Sequence, residues 1–193
     1  MKILSFETSN SFASVAVMIN DEIIAHDITK QSSQQAERLL DLIENCLKIA
    51  NLSLNDLDLI SITNGPGSFT GVRIALATAL GLKMGYKGNV IALTNFQVLA
   101  WQARTAHPQE IAVILDARRE QVFFQKFDHD LIAISEPKLL DLADLPNHLS
   151  ADMLIVKDQI ADAKSLAQAS QFYWQNQTYH GLEPLYIRQP DVK

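Results

Sequence analysis

The segment from Asn64 to Arg73 constrains the fold of this chain more than any other feature. It lies between an apolar run, Leu57–Thr63, that is typical of a buried strand, and a longer one, Val72–Met84, that is typical of a helix. Three glycines and one proline stand within seven of its residues. Glycine and proline at this density indicate a sharp turn where a Cβ would often clash. The segment therefore predicts a strand–turn–helix unit of an α/β protein.

The same segment is a candidate anion site, because free backbone N–H groups at the start of a helix attract phosphate. A P-loop is excluded by the absence of its glycine–lysine pair, and a dinucleotide fingerprint by Thr70 at its sixth position. Two interpretations stay open: a turn that serves packing alone, and a loop that holds a phosphate or nucleotide. For Arg73, pairing with a carboxylate such as Glu7 is the alternative to phosphate binding. The candidate loop residues are Gly65, Gly67, Ser68, Thr70, Gly71 and Arg73.

Composition limits the classes of function. The chain has 193 residues, 48% of them hydrophobic, and a formal net charge of -6 without a basic run. Such a chain is a poor nucleic-acid binder by itself, so if RNA is bound, another protein would supply most of the affinity for it. Glu7 interrupts any signal-peptide core, and no apolar run approaches the roughly eighteen residues of a membrane span. We therefore expect a soluble cytoplasmic protein.

Residue types with catalytic chemistry are scattered. Ser9, Ser68 and Thr70 have no adjacent base, so none is a convincing nucleophile. We interpret Asp116 as a turn-capping residue and Glu120 as an exposed hairpin residue, in preference to an acid–base pair. The single cysteine excludes an intrachain disulfide and a cysteine zinc site. No two of the five histidines have the i, i+4 spacing of a helical metal site: His26, His107, His129, His148 and His180.

Hydrophobic periodicity predicts two lobes, residues 1–106 and 107–193, divided at a polar break around residues 106–110. In the first lobe a strand and a hairpin precede a helix whose apolar stripe includes Leu40, with Leu42 and Ile49 on a second strip. The second lobe repeats the strand–hairpin opening in shortened form, which indicates a duplicated α/β unit. Its predicted elements are strands at Ile111–Leu115, Gln121–Phe127, Ile132–Ile134 and Met153–Val156 and a helix at Ile160–Trp174.

Four segments, in order along the chain, resemble the TsaB (YeaZ) family of the bacterial tRNA threonylcarbamoyladenosine pathway: Ile3–Ser9, Asn64–Arg73, Asp116–Phe123 and Glu183–Asp191. The resemblance implies an actin-like, Hsp70-like (ASKHA) two-lobe fold made of duplicated ribonuclease-H-like units, with an abbreviated second lobe. The shortening lies between about Leu131 and His180. The catalytic paralogue, TsaD, carries a His-x-x-x-His metal pair on the first helix, whereas this chain has Gln34 to Arg38 there and no histidine.

The family resemblance also implies a function. The chain would be a non-catalytic partner of TsaD that works with the ATPase TsaE in modifying an adenosine beside the tRNA anticodon. It would form a heterodimer with TsaD or, when alone, a homodimer, and would reach tRNA only through the complex. No cofactor would be bound tightly, although ATP or ADP could lie at the junction with the paralogue. The alternative is an enzyme of the same fold, an ATP-dependent phosphotransferase or carbamoyltransferase.

In the family, the helices of the first lobe form the partner surface. The helix after the glycine loop agrees with this, because its only polar residues are Arg73, Thr78 and Lys83. A helix that is apolar nearly all round is buried on more than one side. The predicted interface residues are Leu39, Leu42, Ile43, Cys46, Ala75, Thr78, Ala79 and Leu82.

Overall fold

The computed structural model describes residues 1–29, 34–104 and 109–188. The chain forms two compact units. Unit 1 contains Met1–Asn95 and Ala161–Leu185, and unit 2 contains Phe96–Ile160 and the residues from Tyr186 onward. None of the helices in the described ranges has the length and apolar content that a membrane crossing requires.

Unit 1 is built on a five-stranded sheet in the order β3-β2-β1-β4-β5. Strands β1, β2 and β3 are antiparallel neighbours, and β1, β4 and β5 are parallel neighbours. The β2–β3 hairpin turns at Asn20 and Asp21, whose positive φ angles of 48° and 71° suit the twist of a two-residue hairpin loop. The strands are β1 Lys2–Glu7, β2 Ser14–Ile19, β3 Glu22–Ile28, β4 Leu59–Thr63 and β5 Asn89–Leu93.

Helices cover both faces of this sheet. Successive strand residues point to opposite faces, so Leu4 and Phe6 pack with α1 (Gln35–Ile49) and α2 (Phe69–Gly85), whereas Ile3 packs with α4 (Ala163–Gln175). On α1 the predicted stripe is partly wrong: Leu42 is buried and Leu40 is 60% exposed. The sequence also predicts Ser33 as the N-cap of this helix, and that residue lies outside the described residues.

Unit 2 is built on a four-stranded sheet in the order β8-β7-β6-β9. Helix α3 (Asn95–Ala103) begins at the last residue of unit 1. The strand predicted at Ile132–Ile134 is wrong, since Ala133 forms only an isolated bridge with Phe127. The third strand of the lobe lies later in the chain, at β8. The strands of the sheet are β6 Ile111–Asp116, β7 Gln121–Phe127, β8 Lys138–Asp141 and β9 Leu154–Lys157.

The compact units differ from the predicted lobes 1–106 and 107–193. Helix α4, predicted for the second lobe, packs its Ala167 against Ile3 and Met18 on the sheet of unit 1. The small apolar residues of α4 are compatible with packing on either sheet. Only the tertiary structure therefore shows on which sheet the helix packs. Of the predicted polar break, residues 106–108 lie outside the described ranges.

Candidate functional site

The glycine loop connects the carboxyl end of β4 to α2 and is fixed by hydrogen bonds. The Ser68 backbone N–H donates to the Ser9 carbonyl at 2.8 Å, just beyond β1. The Asn95 backbone N–H donates to Gly65 O at 2.8 Å, and its side-chain Nδ2 donates to Pro66 O at 2.6 Å. The Gly65–Pro66 peptide is cis. The loop is thus held against the ends of both β1 and β5.

Close packing explains the loop glycines. A Cβ on Gly67 would lie 2.8 Å from the Ser9 Cβ, and a Cβ on Gly71 would lie 1.9 Å from the Thr8 carbonyl oxygen. Gly65 adopts a φ of +108°, which side chains rarely tolerate. Part of the space in front of the loop is therefore filled by the turn that follows β1. The packing interpretation has direct structural support, and binding of a phosphate or nucleotide stays a prediction.

The remaining loop candidates belong to the N-terminal end of α2. Ser68 is its N-cap and accepts a hydrogen bond from the Gly71 N–H at 3.2 Å. Thr70 and Arg73 are exposed in the first turns. The Arg73 guanidinium lies over the Phe69 ring, 3.7 Å from its centroid. The structure therefore places the Arg73 guanidinium against an aromatic ring at the start of α2.

Glu7 is the centre of a buried polar cluster beneath the loop. Its carboxylate accepts hydrogen bonds from the Ser9 N–H and hydroxyl, from Asn10 Nδ2 at 2.8 Å and from Thr63 Oγ1 at 3.1 Å. Burial raises the pKa of Glu7, and the hydrogen bonds from Ser9, Asn10 and Thr63 offset only part of that rise. Asn95 Nδ2 extends the cluster by donating to Ser9 Oγ at 2.7 Å. The cluster around this carboxylate thus connects the carboxyl ends of the three parallel strands.

Asn95 is a site residue that sequence reasoning missed. It lies two residues beyond β5 and is 3% exposed. The available signal was a polar residue just beyond the carboxyl end of an apolar strand, the position at which open α/β sheets collect functional groups. The Oδ1 atoms of Asn95 and Asn64 are buried and accept no hydrogen bond from the part of the chain that the structure describes.

Most of the predicted partner-interface residues lie in the core of unit 1 and not at its surface, and their role in partner binding stays a prediction. Thr78 and Leu82 are half-buried, but the other six are buried within unit 1 itself. These six pack in the core between the two helices and the sheet, so they have no surface to offer a partner in this conformation. Sequence periodicity identified apolar helices correctly but could not tell their inner face from their outer one. The six residues are Leu39, Leu42, Ile43, Cys46, Ala75 and Ala79.

A different set of residues forms an exposed apolar surface on α2. Ala77, Leu80, Gly81 and Met84, here called the α2 strip, recur at i, i+3, i+4 and i+7 and share one helix face. Leu80 is 50% exposed and Met84 is 92% exposed. An exposed apolar stripe of this length on a helix is typical of an interaction surface.

The other chemical candidates have structural roles. Asp116 Oδ1 accepts the Arg118 N–H at 2.8 Å, which confirms it as a turn-capping residue. Cys46 is a buried free thiol whose pKa burial raises to about 11. Within the described ranges, no group of three or more histidine, cysteine, aspartate or glutamate side chains is arranged to hold a metal ion.

The two-sheet α/β architecture belongs to the actin-like ASKHA class. A solved structure of YeaZ from Pseudomonas aeruginosa superimposes with a TM-score of 0.79 at 21% identity, covering 96% of this chain and 99% of that one. A second Pseudomonas aeruginosa structure, described as similar to peptidase YEAZ, superimposes with a TM-score of 0.81 at 21% identity, covering 97% and 99%. At this identity the two structures establish the fold alone.

Sequence comparison identifies the family. The family model described as "TsaD: tRNA N6-adenosine threonylcarbamoyltransferase" matches residues 22–183. The TsaB protein of Haemophilus influenzae is 32% identical over 127 residues, which are 65% of this chain and 53% of that protein. A TsaB protein of Buchnera aphidicola is 25% identical over 218 aligned positions, covering 97% and 98%. The chain belongs to the family that this model describes, in its TsaB (YeaZ) branch.

Proposed function

We propose that this chain is a non-catalytic subunit in the biosynthesis of threonylcarbamoyladenosine beside the tRNA anticodon. It binds a TsaD-like catalytic paralogue, stabilises the active arrangement of that enzyme, and works with a TsaE-like ATPase. Two facts support the proposal. Relatives from Haemophilus influenzae, Buchnera aphidicola and Escherichia coli are each named tRNA threonylcarbamoyladenosine biosynthesis protein TsaB. The chain also carries an exposed apolar helix face of the kind that an assembly subunit needs.

The α2 strip is the observation that carries the proposal. Its two large residues, Leu80 and Met84, supply apolar area, and the small residues Ala77 and Gly81 let another helix approach closely. The axes of packed helices lie about 8–10 Å apart, and small residues at the contact favour the shorter distances. A partner helix seated on the strip would remove both large side chains from water. In the absence of the paralogue, a second copy of this chain would occupy the same strip.

Nucleotide and tRNA enter this proposal through the complex. Gly67 and Gly71 are already packed against Ser9 and Thr8, so the isolated loop is not shaped as an open phosphate cradle. ATP or ADP would accordingly lie at the junction with the paralogue. The net charge of -6 makes the chain a weak tRNA binder alone, so tRNA contact would come from the paralogue. The modification of tRNA also implies that the protein works in the cytoplasm.

Reconstitution tests the proposal. Threonylcarbamoyladenosine is measured on tRNA incubated with the paralogue, the ATPase, threonine, bicarbonate, ATP and the threonylcarbamoyl-adenylate synthase, with this chain present or omitted. We expect product only when the chain is present and no turnover by the chain alone. Equal product without the chain would refute the activating role. ATP-dependent group transfer by the isolated chain would favour the enzyme alternative.

A matched pair of variants tests the surface. Leu80→Glu places a charge on the α2 strip, and Ile155→Glu places the same charge on strand β9 of unit 2, where Ile155 is exposed to a similar extent. We expect Leu80→Glu to abolish complex formation and tRNA modification, and Ile155→Glu to leave both close to wild type. Equal behaviour of the two variants would remove the α2 strip from the proposal.

A further inference from the structure

The last segment of unit 1, His180–Leu185, is bonded to the sheet edge and to the glycine loop, and is here called the strap. His180 and Ala92 of β5 exchange backbone hydrogen bonds of 2.8 and 3.0 Å, forming a two-residue antiparallel bridge. Leu182 then packs, half-buried, against the unit 1 core. The strap therefore begins as an addition to the edge strand and continues across the end of the sheet.

The far end of the strap is bonded to the first residues of the loop. Asn64 Nδ2 donates to the Glu183 carbonyl at 2.9 Å, and the Leu185 N–H donates to the Asn64 carbonyl at 2.8 Å. Asn64 is 4% exposed. A Cβ on Gly65 would lie 3.2 Å from the Leu185 carbonyl oxygen, so the strap passes directly over this glycine. Its two hydrogen bonds to Asn64 fix the point at which the chain leaves β4.

The start of α2 is consequently held from two directions. On one side Ser68 N–H bonds to the turn after β1, and on the other side Asn64 bonds to the strap. From Phe69 to Met84 the helix extends about 22 Å, at roughly 1.5 Å per residue. A rotation of about 5° at its N-terminal end would move Met84 by about 2 Å, enough to disturb close side-chain packing. Small changes at Asn64 are therefore amplified at the α2 strip.

We propose that Asn64, Glu183 and Leu185 are positioning residues: the strap sets the direction in which α2 leaves the sheet, and through it the presentation of the α2 strip. None of the three needs to contact a partner. The link to partner binding rests on the function proposed above. The hold of the strap on the loop does not depend on that function and can be measured on the protein alone.

The experiment compares Asn64→Ala and Leu185→Pro, each of which removes one donor of the strap–loop contact, with Ser5→Ala as the matched control. Ser5 Oγ shares a buried 2.6 Å hydrogen bond with Ser61 Oγ, between β1 and β4 inside the sheet of unit 1. Amide hydrogen exchange is followed by NMR in the full chain at Ser68, Gly71 and Val72. Affinity for the TsaD-like paralogue is measured by calorimetry.

We expect both strap variants to speed exchange at these three amides by about tenfold, the factor that one buried hydrogen bond typically supplies. Ser5→Ala should leave exchange at the loop unchanged even if it lowers the melting temperature equally. The strap variants should also bind the paralogue about tenfold more weakly, and the control should bind as the wild type does. The use of two strap variants guards against one of them failing to fold.

Two results would overturn the proposal. Loop exchange equal in the strap variants and the control would show that the strap does not position the loop. Faster loop exchange with an unchanged dissociation constant would show that loop position does not set partner binding. A wild-type chain that fails to bind the paralogue refutes the proposed function instead, and loop exchange then decides whether the strap holds the start of α2.

Discussion

Substitutions at Gly81 can test the stability of α2 and the partner-binding surface of the α2 strip independently. Gly81 lies inside the helix on the exposed face, and a Cβ added there would meet no atom within 4 Å. Glycine in a helix interior costs about 0.8–1 kcal/mol relative to alanine, and arginine is nearly as good a helix former as alanine. Both Gly81→Ala and Gly81→Arg should therefore raise the free energy of unfolding by roughly 0.5–1 kcal/mol. In a chain of this size that free-energy change corresponds to a rise of about 1–4 °C in Tm.

The two variants should differ in binding. Alanine adds one methyl group to the α2 strip and should leave the affinity for the paralogue within about threefold of wild type. Arginine places a charge in the middle of an apolar contact, where desolvation without a counter-charge costs several kcal/mol, so binding should weaken by at least about 100-fold. Urea titration, calorimetry with the paralogue, and the tRNA modification assay report the three quantities separately.

Either of two results would refute the reasoning. If Gly81→Arg bound the paralogue as the wild type does, the α2 strip would not be the docking surface. If Gly81→Ala lowered the free energy of unfolding, position 81 would not be an open site within a regular helix. The predicted combination of a more stable fold with lost binding is difficult to produce by general damage to the protein, which makes the pair informative.

Three further predictions follow from burial. Ala79→Glu should unfold unit 1, because Ala79 is 0% exposed and an unpaired buried charge costs about 3–5 kcal/mol. Ala77→Glu, on the exposed face of the same helix, should stay folded. Circular dichroism measures the difference between the two variants. Burial raises the pKa of Glu7 above 4.5, so its stabilising contribution is complete below that pH and is lost as pH rises through the folded pKa. In the wild type the free energy of unfolding should therefore fall by up to about 1.4 kcal/mol per pH unit as Glu7 ionises, and in Glu7→Gln this fall should be absent. Equal pH slopes for the two proteins in urea titrations would contradict this. Cys46, whose thiol pKa is raised to about 11, should resist alkylation at pH 8 until urea unfolds the chain; rapid labelling of the native protein would show that the site opens.

Local sequence patterns predicted most of the secondary structure. Strand β7 occurs at its predicted boundaries, and the hairpin predicted before the first helix is the β2–β3 hairpin. The strand–turn–helix unit around the glycine loop is also confirmed. Gly67 and Gly71 are needed because Ser9 and Thr8 lie too close to the loop backbone for a Cβ. A steric requirement of this kind can be recognised from the glycines in the sequence.

The sequence by itself determined most of the elements, the family and the glycine loop, because these depend on local periodicity and on residue types that few backbone conformations accept. Only the tertiary structure decided which side of each element faces the core. Leu42 is buried and Leu40 is exposed, although Leu40 belongs to the predicted stripe and Leu42 lies off it. Helix α4 packs on the first sheet although it follows the second along the chain. Helix rotation and layer assignment are set by contacts between residues far apart in sequence. For that reason the exposed face of α2 and the contacts of the strap could be found only in the folded chain.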